Sequence, residues 1–539
     1  MRYLKTLIGR SLLAAAVAYA SLLAVTAHAA APGITGTSFD LIAAPGYISQ
    51  PDGMSVYSWG YGCNSAPSGF APATISGASC PDGEMQLPGP TLIVNQGATV
   101  TVTLHNNLPA AAGNTSILFP GFELQPFANG NGVPGLLTQE AAHGGSVTYT
   151  FTATKPGTHT YYSGTQGDLQ IEMGLYGAII VLPALNAASH LPDGYSTPAG
   201  QPVTCRAVGA TLPNGQPDFR LAAAAYNHPS ACYDREYLFQ FSEIDPLIHS
   251  QAEAQAGLAC TQPTGCMTVA TEPYRPAYYM VNGRSMPDLM DPNYAVQYPH
   301  QPYNGNPHMH PGELTLLRVI GTGRWQHPFH EHGNHVRVLA RDGNMLLTPA
   351  SNKLAGPLLF TTTTTPGLAL DGIFQWTGKG LNWDAYGHHA ADPGRGLAAV
   401  DPGCTPDANG YYTTASGAAP DAPNYYEWCA DHNKALESKP TGNVGSGGPI
   451  TLPDANIMAN GPWYGGSPYL GPDATQRAVG ATPIPPSGTV GNSPTEEAGF
   501  AYMWHSHNER EITTNNAFPG GMMMMMLVDP QAFTINEAN

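Results

Sequence analysis

Two short stretches hold most of the side chains able to do chemistry in this 539-residue chain. In WQHPFHEHGNHVRVLARDG, residues 325–343, four histidines fall within nine residues: His327, His330, His332 and His335. In YMWHSHNERE, residues 502–511, His505 and His507 flank Ser506. On a strand, side chains repeat every two residues, so His330 and His332 share one face, as do His505 and His507. If the two strands are neighbours, four imidazoles converge. Imidazole suits copper, zinc, iron and nickel, and a converging set points to a metal. A single histidine here would more often be a satisfied core residue.

Strands must position these groups, and the sequence is rich in them. PGPTLIVNQGATVTVTLHNN, residues 88–107, alternates apolar and polar around Gly97. GSVTYTFTATKPGTHTYYSG and MGLYGAIIVLP, within residues 145–183, read as strand, Pro-Gly turn, strand, loop, strand. A related order returns in HPGELTLLRVIGTG (310–323) and in FAYMWHSHNERE followed by GGMMMMMLVDP (500–530). The chain therefore reads as all-β, with two β-sandwich domains of one design. The expected domains are 30–184 and 236–539, joined by a Cys-, Pro- and Gly-rich link at 185–235. An insertion from about 345 to 495, containing TTTTT at 361–365 and GSGGP at 445–449, interrupts the second. It also carries His388 and His389, which in a loop are more often solvated than ligating.

Bulk properties narrow the setting. Arg2, Lys5 and Arg10, an apolar run and Ala27-His28-Ala29 have the anatomy of a secretory signal peptide, residues 1–29. No later segment is apolar for long enough to span a bilayer. Without the leader, 17 basic residues stand against 38 acidic ones, a net charge of −21 that repels nucleic acid. Eight cysteines fall as near neighbours, Cys63/Cys80, Cys205/Cys232, Cys260/Cys266 and Cys404/Cys429, and an even count reads as disulfides of an exported protein, sequential pairing being the simplest of about 105 connectivities. Met522 to Met526 reads as a core strand, although thioethers also bind Cu(I). His308 and His310 are expected to be exposed.

The motifs resemble those of the multicopper oxidase (laccase-like) superfamily over most of the chain beyond the leader. PGPTLIVNQGATVTVTLHNNL, GSVTYTFTATKPGTHTYYSGTQ and MGLYGAIIVLP resemble its first domain, VNGRSMPD (281–288) the entry to a later one, and HPFHEHG its His-Pro-x-His-x-His-Gly motif. The resemblance implies cupredoxin-like Greek-key sandwiches in a two-domain layout. It also implies two copper centres: a type 1 copper held by Cys and two His, and a trinuclear cluster held by four His-x-His pairs. His327 then matches a type 1 ligand, while His330, His332, His505 and His507 match trinuclear ligands. Ser506 falls on the type 1 cysteine and Glu511 on the other type 1 histidine. A serine hydroxyl is a hard donor of high pKa and cannot replace a thiolate, so a normal type 1 centre is excluded. Leu118-Phe119-Pro120-Gly121 and Tyr162-Ser163-Gly164 stand where the family has its first-domain histidine pairs. The laccase machinery is absent; an asymmetric site of His330, His332, His505 and His507 remains.

Four imidazoles suffice for one copper ion, or for zinc. Near His327, Glu511, Glu509 or Glu331 would complete a second site favouring manganese, iron or zinc. Tyr161 and Tyr162 would face the cluster from the first domain. The expected function is an exported copper-dependent oxidoreductase with a mono- or dinuclear site, taking a small-molecule or metal-ion reductant directly at the cluster. The alternatives are a non-catalytic protein for metal binding, delivery or a cell-surface assembly, and a metal-free scaffold.

Overall fold

The computed structural model describes residues 31–73, 75–184, 205–209, 211–212, 215–379, 381, 425–427, 464–469, 475–476, 490–491 and 499–537. The leader, His388, His389, the Cys404/Cys429 pair and the 445–449 run lie outside the described residues.

TVTVTLHN, Thr99–Asn106, buries every second residue, as its alternation requires. It runs parallel to Ser38–Ser49 and antiparallel to Ser146–Thr152, and Ser55–Cys63 completes a four-stranded sheet. Gly157–Tyr162, Tyr176–Leu182 and Leu92–Asn95 belong to the second sheet. Trp59, Val102, Leu104 and Phe151 from one sheet meet Leu92, Tyr161 and Ile179 from the other in one apolar core.

The same pairing is used again further along. Leu314–Gly321 runs parallel to Arg235–Ile244 and antiparallel to Ala369–Gln375, with Tyr278–Val281 beyond. Gly499–Ser506 and Met523–Val528 form an antiparallel pair like Gly157–Tyr162 and Tyr176–Leu182. His308–Met309 lies parallel to Met523–Val528, as Leu92–Asn95 does to Tyr176–Leu182. Phe239, Phe241, Phe329, Phe374 and Trp504 fill the second core, together with Met522, Met524 and Met526. The methionine run is therefore packing, in keeping with the adaptability of thioethers.

Two features join the sandwiches. Asp245 caps the helix Pro246–Gln255 by accepting from Leu247 N, with proline in the first turn. The helix lays Ile248 and Ala252 into the first core. Asp371, buried on the second sandwich, accepts from both the backbone nitrogen and the hydroxyl of Thr158 on the first.

Several expectations change. Thr361–Thr364 and Ala369–Gln375, read as part of the insertion, are strands of the second sandwich. Threonine is β-branched and suits a pleated surface, which the low-complexity look of the run concealed. His310 is buried rather than exposed, held by Glu313 and the Phe533 carbonyl, and His308 pairs with Asp529. Cys63–Cys80, Cys205–Cys232 and Cys260–Cys266 are bonded as expected. Among the described residues no helix is long and apolar enough to cross a membrane.

Phe329 is fully buried, with the rings of Phe239, Phe241 and Trp504 at 4.9–6.1 Å. Phe329→Ala should cost about 3–5 kcal/mol and lower the transition temperature of the second sandwich in calorimetry. An unchanged transition would show that this ring is not the keystone of the strand carrying the histidines.

Candidate metal centre

The strand His327–Glu331 lies between Thr361–Thr364 and Gly499–Ser506. Its register sets His330 directly opposite both His505 and Thr361. Directly opposed residues have Cβ atoms about 5 Å apart, so this pairing alone brings two imidazoles together. Strand parity then divides the motif. His327, Phe329 and Glu331 point to the interior with Trp504 and Ser506, whereas His330 and His505 point to the other face. His332 and His507 follow just past the strand ends.

On that face, ligand nitrogens of His330, His332 and His505 all lie within 4.8 Å of one another. His332 Nε2 and His505 Nε2 are 3.4 Å apart. His332 Nδ1 donates to the Gly465 carbonyl at 3.1 Å, and His505 Nδ1 donates to the Ser506 carbonyl at 2.7 Å. A carbonyl only accepts, so Nδ1 carries the proton in both rings and each Nε2 presents a lone pair. Two lone pairs aimed at each other repel unless a cation joins them. Burial pushes the His330 pKa down to about 4, and the neighbouring imidazoles push the same way. Burial also lowers the pKa of His332 and His505. The three rings are thus neutral near pH 7, the form that ligates metal. This donor set fits copper. His330 Nδ1 is paired with Thr361 Oγ1 at 2.8 Å, which orients the ring from behind.

His507 is set slightly apart. Its ring centroid is 4.8 Å from that of His330, yet its side chain is 54% exposed and leans towards Glu509 at 3.6 Å. It stands at the solvent side of the cluster. His335 lies farther along, edge-on to Phe360. Tyr161 and Tyr162 do not reach the site. Tyr161 is packed in the first core with its hydroxyl on the Pro90 carbonyl, and Tyr162 lines a cleft with Gly321, Thr322 and Gly367.

The interior side of the motif is a different device. His327 Nδ1 lies 2.8 Å from Glu511 Oε2 and its Nε2 2.9 Å from Glu243 Oε2, all three side chains being buried. Carboxylates only accept, so both ring nitrogens carry protons and His327 is an imidazolium. Its pKa rises to about 9 because the bonds to Glu243 and Glu511 outweigh the burial that opposes them. Ser506 Oγ donates to Glu511, while Glu243 accepts from the backbone nitrogens of Arg324 and Trp325. His327 and Glu511, offered by the sequence as ligands, are bonded to each other instead. The two carboxylates hold opposite edges of one ring, so no single ion can meet all three. Glu331 bonds Thr362 instead, and Glu509 is exposed.

Sequence reasoning missed Glu243, Thr361, Tyr464 and Gly465. Glu243 sits in an unremarkable strand and Thr361 in what looked like a loop. Nothing in the sequence distinguishes Tyr464 from the chain's other tyrosines.

Residues 81–186 match the multicopper oxidase family Cu-oxidase_3. Over 95 residues the chain is 39% identical to Copper resistance protein A of Pseudomonas syringae pv. tomato, covering 18% of this chain and 14% of that one. Over 131 residues it is 32% identical to laccase abr2 of Aspergillus fumigatus, covering 24% of this chain and 21% of that one. Through residues 81–186 the comparisons indicate the multicopper oxidase superfamily. The chain's described residues fold as β-sandwiches, and the matched family implies copper. The matched stretch spans only 14% and 21% of these two curated relatives. Among solved structures, a blue copper oxidase from Nitrosomonas europaea aligns at 14% identity and TM-score 0.43, covering 91% of this chain and 85% of that one. The interior position holds Ser506 and a doubly paired His327, an ion pair closed by the chain's own side chains.

His327 titrates near 6.5 in an unfolded chain and near 9 here. Its contribution, about 3 kcal/mol, is complete below pH 6.5 and lost as pH rises through 9. Stability should fall between pH 7 and 10, and His327→Gln should be less stable but flatter across that window. Denaturant titrations at fixed pH values would check this; parallel pH profiles for the two proteins would contradict it.

Proposed function

We propose that this chain is an exported copper-dependent oxidoreductase whose centre is one copper ion held by His330, His332 and His505, with His507 at its solvent side. The observation carrying this reading is the pair of facing Nε2 lone pairs at 3.4 Å, each locked by a carbonyl on the far side of its ring. Copper bound there supplies one-electron redox chemistry. The side chains do the rest. Thr361 and the Gly465 and Ser506 carbonyls fix the ring orientations, and lowered pKa values keep the rings neutral. Exposure at His507 leaves a direct approach for a small-molecule or metal-ion reductant. No thiolate relay is needed, in keeping with Ser506. The leader pattern at residues 1–29 supports export. The mature chain divides into sandwiches at 30–184 and 236–539.

Elemental analysis of protein exported from its own host should find about one copper per chain, lost in His505→Ala, since removing one of three ligands leaves too few donors. Oxygen uptake with a phenolic reductant should be present in the parent protein and abolished in the variant. Copper without turnover under any reductant tried would sink the enzymatic reading and leave a metal-binding or delivery protein. No copper in either sample would sink both.

A further inference from the structure

The three histidines leave a fourth position, and the chain itself fills it. The Tyr464 hydroxyl lies 2.7 Å from His330 Nε2, the nitrogen left over after Nδ1 bonds Thr361. Its ring centroid is 5.6 Å from that of His330 and 5.3 Å from that of His332. This hydroxyl is delivered by a well-anchored segment. Gly333 N donates to the Tyr464 carbonyl at 2.8 Å, and the next carbonyl, of Gly465, accepts from His332 Nδ1. Gly466–Tyr469 then pairs antiparallel with Gly499–Ser506, the strand that carries His505. Position 465 has φ +64°, and a Cβ there would come within 1.9 Å of His332 Nδ1. Only glycine lets the backbone approach the ring so closely. One short segment thus touches His330 through a side chain and His332 through a carbonyl.

We propose that the Tyr464 oxygen is the fourth donor of the copper centre, making the set three imidazoles and one phenol oxygen. The inference rests on the reading that the histidine cluster holds copper. Three imidazoles and a phenol oxygen complete a four-coordinate site from protein groups alone, with the exposed His507 edge left for an incoming reductant. Oxygen is a harder donor than imidazole and favours Cu(II) over Cu(I). Tyr464 therefore sets the oxidation-state preference as well as the affinity. On coordination the phenol proton leaves to solvent, as metal binding at a protonated ligand requires. The donor arrives from residues 464–469, a segment between the two histidine motifs and in neither of their strands, so loading of the centre depends on that segment being docked.

The test compares the parent protein with Tyr464→Phe, which keeps the ring and removes only the oxygen, using copper alone as probe. Chelator competition should give a Cu(II) dissociation constant about 10-fold or more weaker in the variant, with Cu(I) binding little changed. The parent Cu(II) protein should show a phenolate-to-copper absorption band that the variant lacks, and its electron paramagnetic resonance spectrum should differ from the variant's. Equal Cu(II) affinities and identical spectra would overturn the role of Tyr464 while leaving the histidine site standing. A parent protein that takes up no copper would instead overturn the reading beneath it. Gly465→Ala separates docking from donation: it should weaken Cu(II) binding too, although Tyr464 is intact. Full affinity in Gly465→Ala would contradict the docked geometry.

Discussion

The site depends on one register: His330 opposite His505 across the antiparallel pair of His327–Glu331 and Gly499–Ser506. A slip of one residue would send both histidines to the interior and bring Phe329 and Trp504 to the surface. The core forbids that slip, because Phe329, Trp504 and Phe374 pack on one another beneath the pair. The apolar side of each strand therefore fixes the polar side. The third neighbour, Thr361–Thr364, adds a hydroxyl behind His330 and completes the alignment.

The same parity separates two chemistries carried by seven letters, HPFHEHG. The outward residues gather unprotonated imidazoles, each with a lone pair to give. The inward residue, His327, is held as a cation between two anions. Burying charges is costly, and the mutual attraction repays it only when every partner is in place. Here Ser506, Asn508 and the Arg324 and Trp325 amides complete the set around the two glutamates.

Much of this was legible in the sequence, for definite reasons. Period-two alternation in TVTVTLHN and its echo in ELTLLRVI gave the repeated sandwich, and His-x-His spacing gave shared faces. Near-neighbour spacing gave three cysteine pairs. What escaped was whatever depended on contacts between distant segments. TTTTT looked like a loop because its hydrogen-bond partners lie some thirty residues away, at 327–330. The pairing of His327 with Glu243 joins positions 84 apart, and that of His330 with Tyr464 joins positions 134 apart. Aligned motifs named Ser506 and Glu511 as substitutions, but only geometry reveals that they answer each other through a hydrogen bond.

The buried cage at His327 has a consequence for how the protein is made. In a small metal-dependent domain the ion supplies folding energy, and without it the chain stays unfolded. In this chain the interior is charge-compensated by its own side chains, and the second core closes around methionine and aromatic rings. On the proposed reading, only the outward rings would take an ion. Assembly of the polypeptide would then be uncoupled from metal supply, the ion being the last part added.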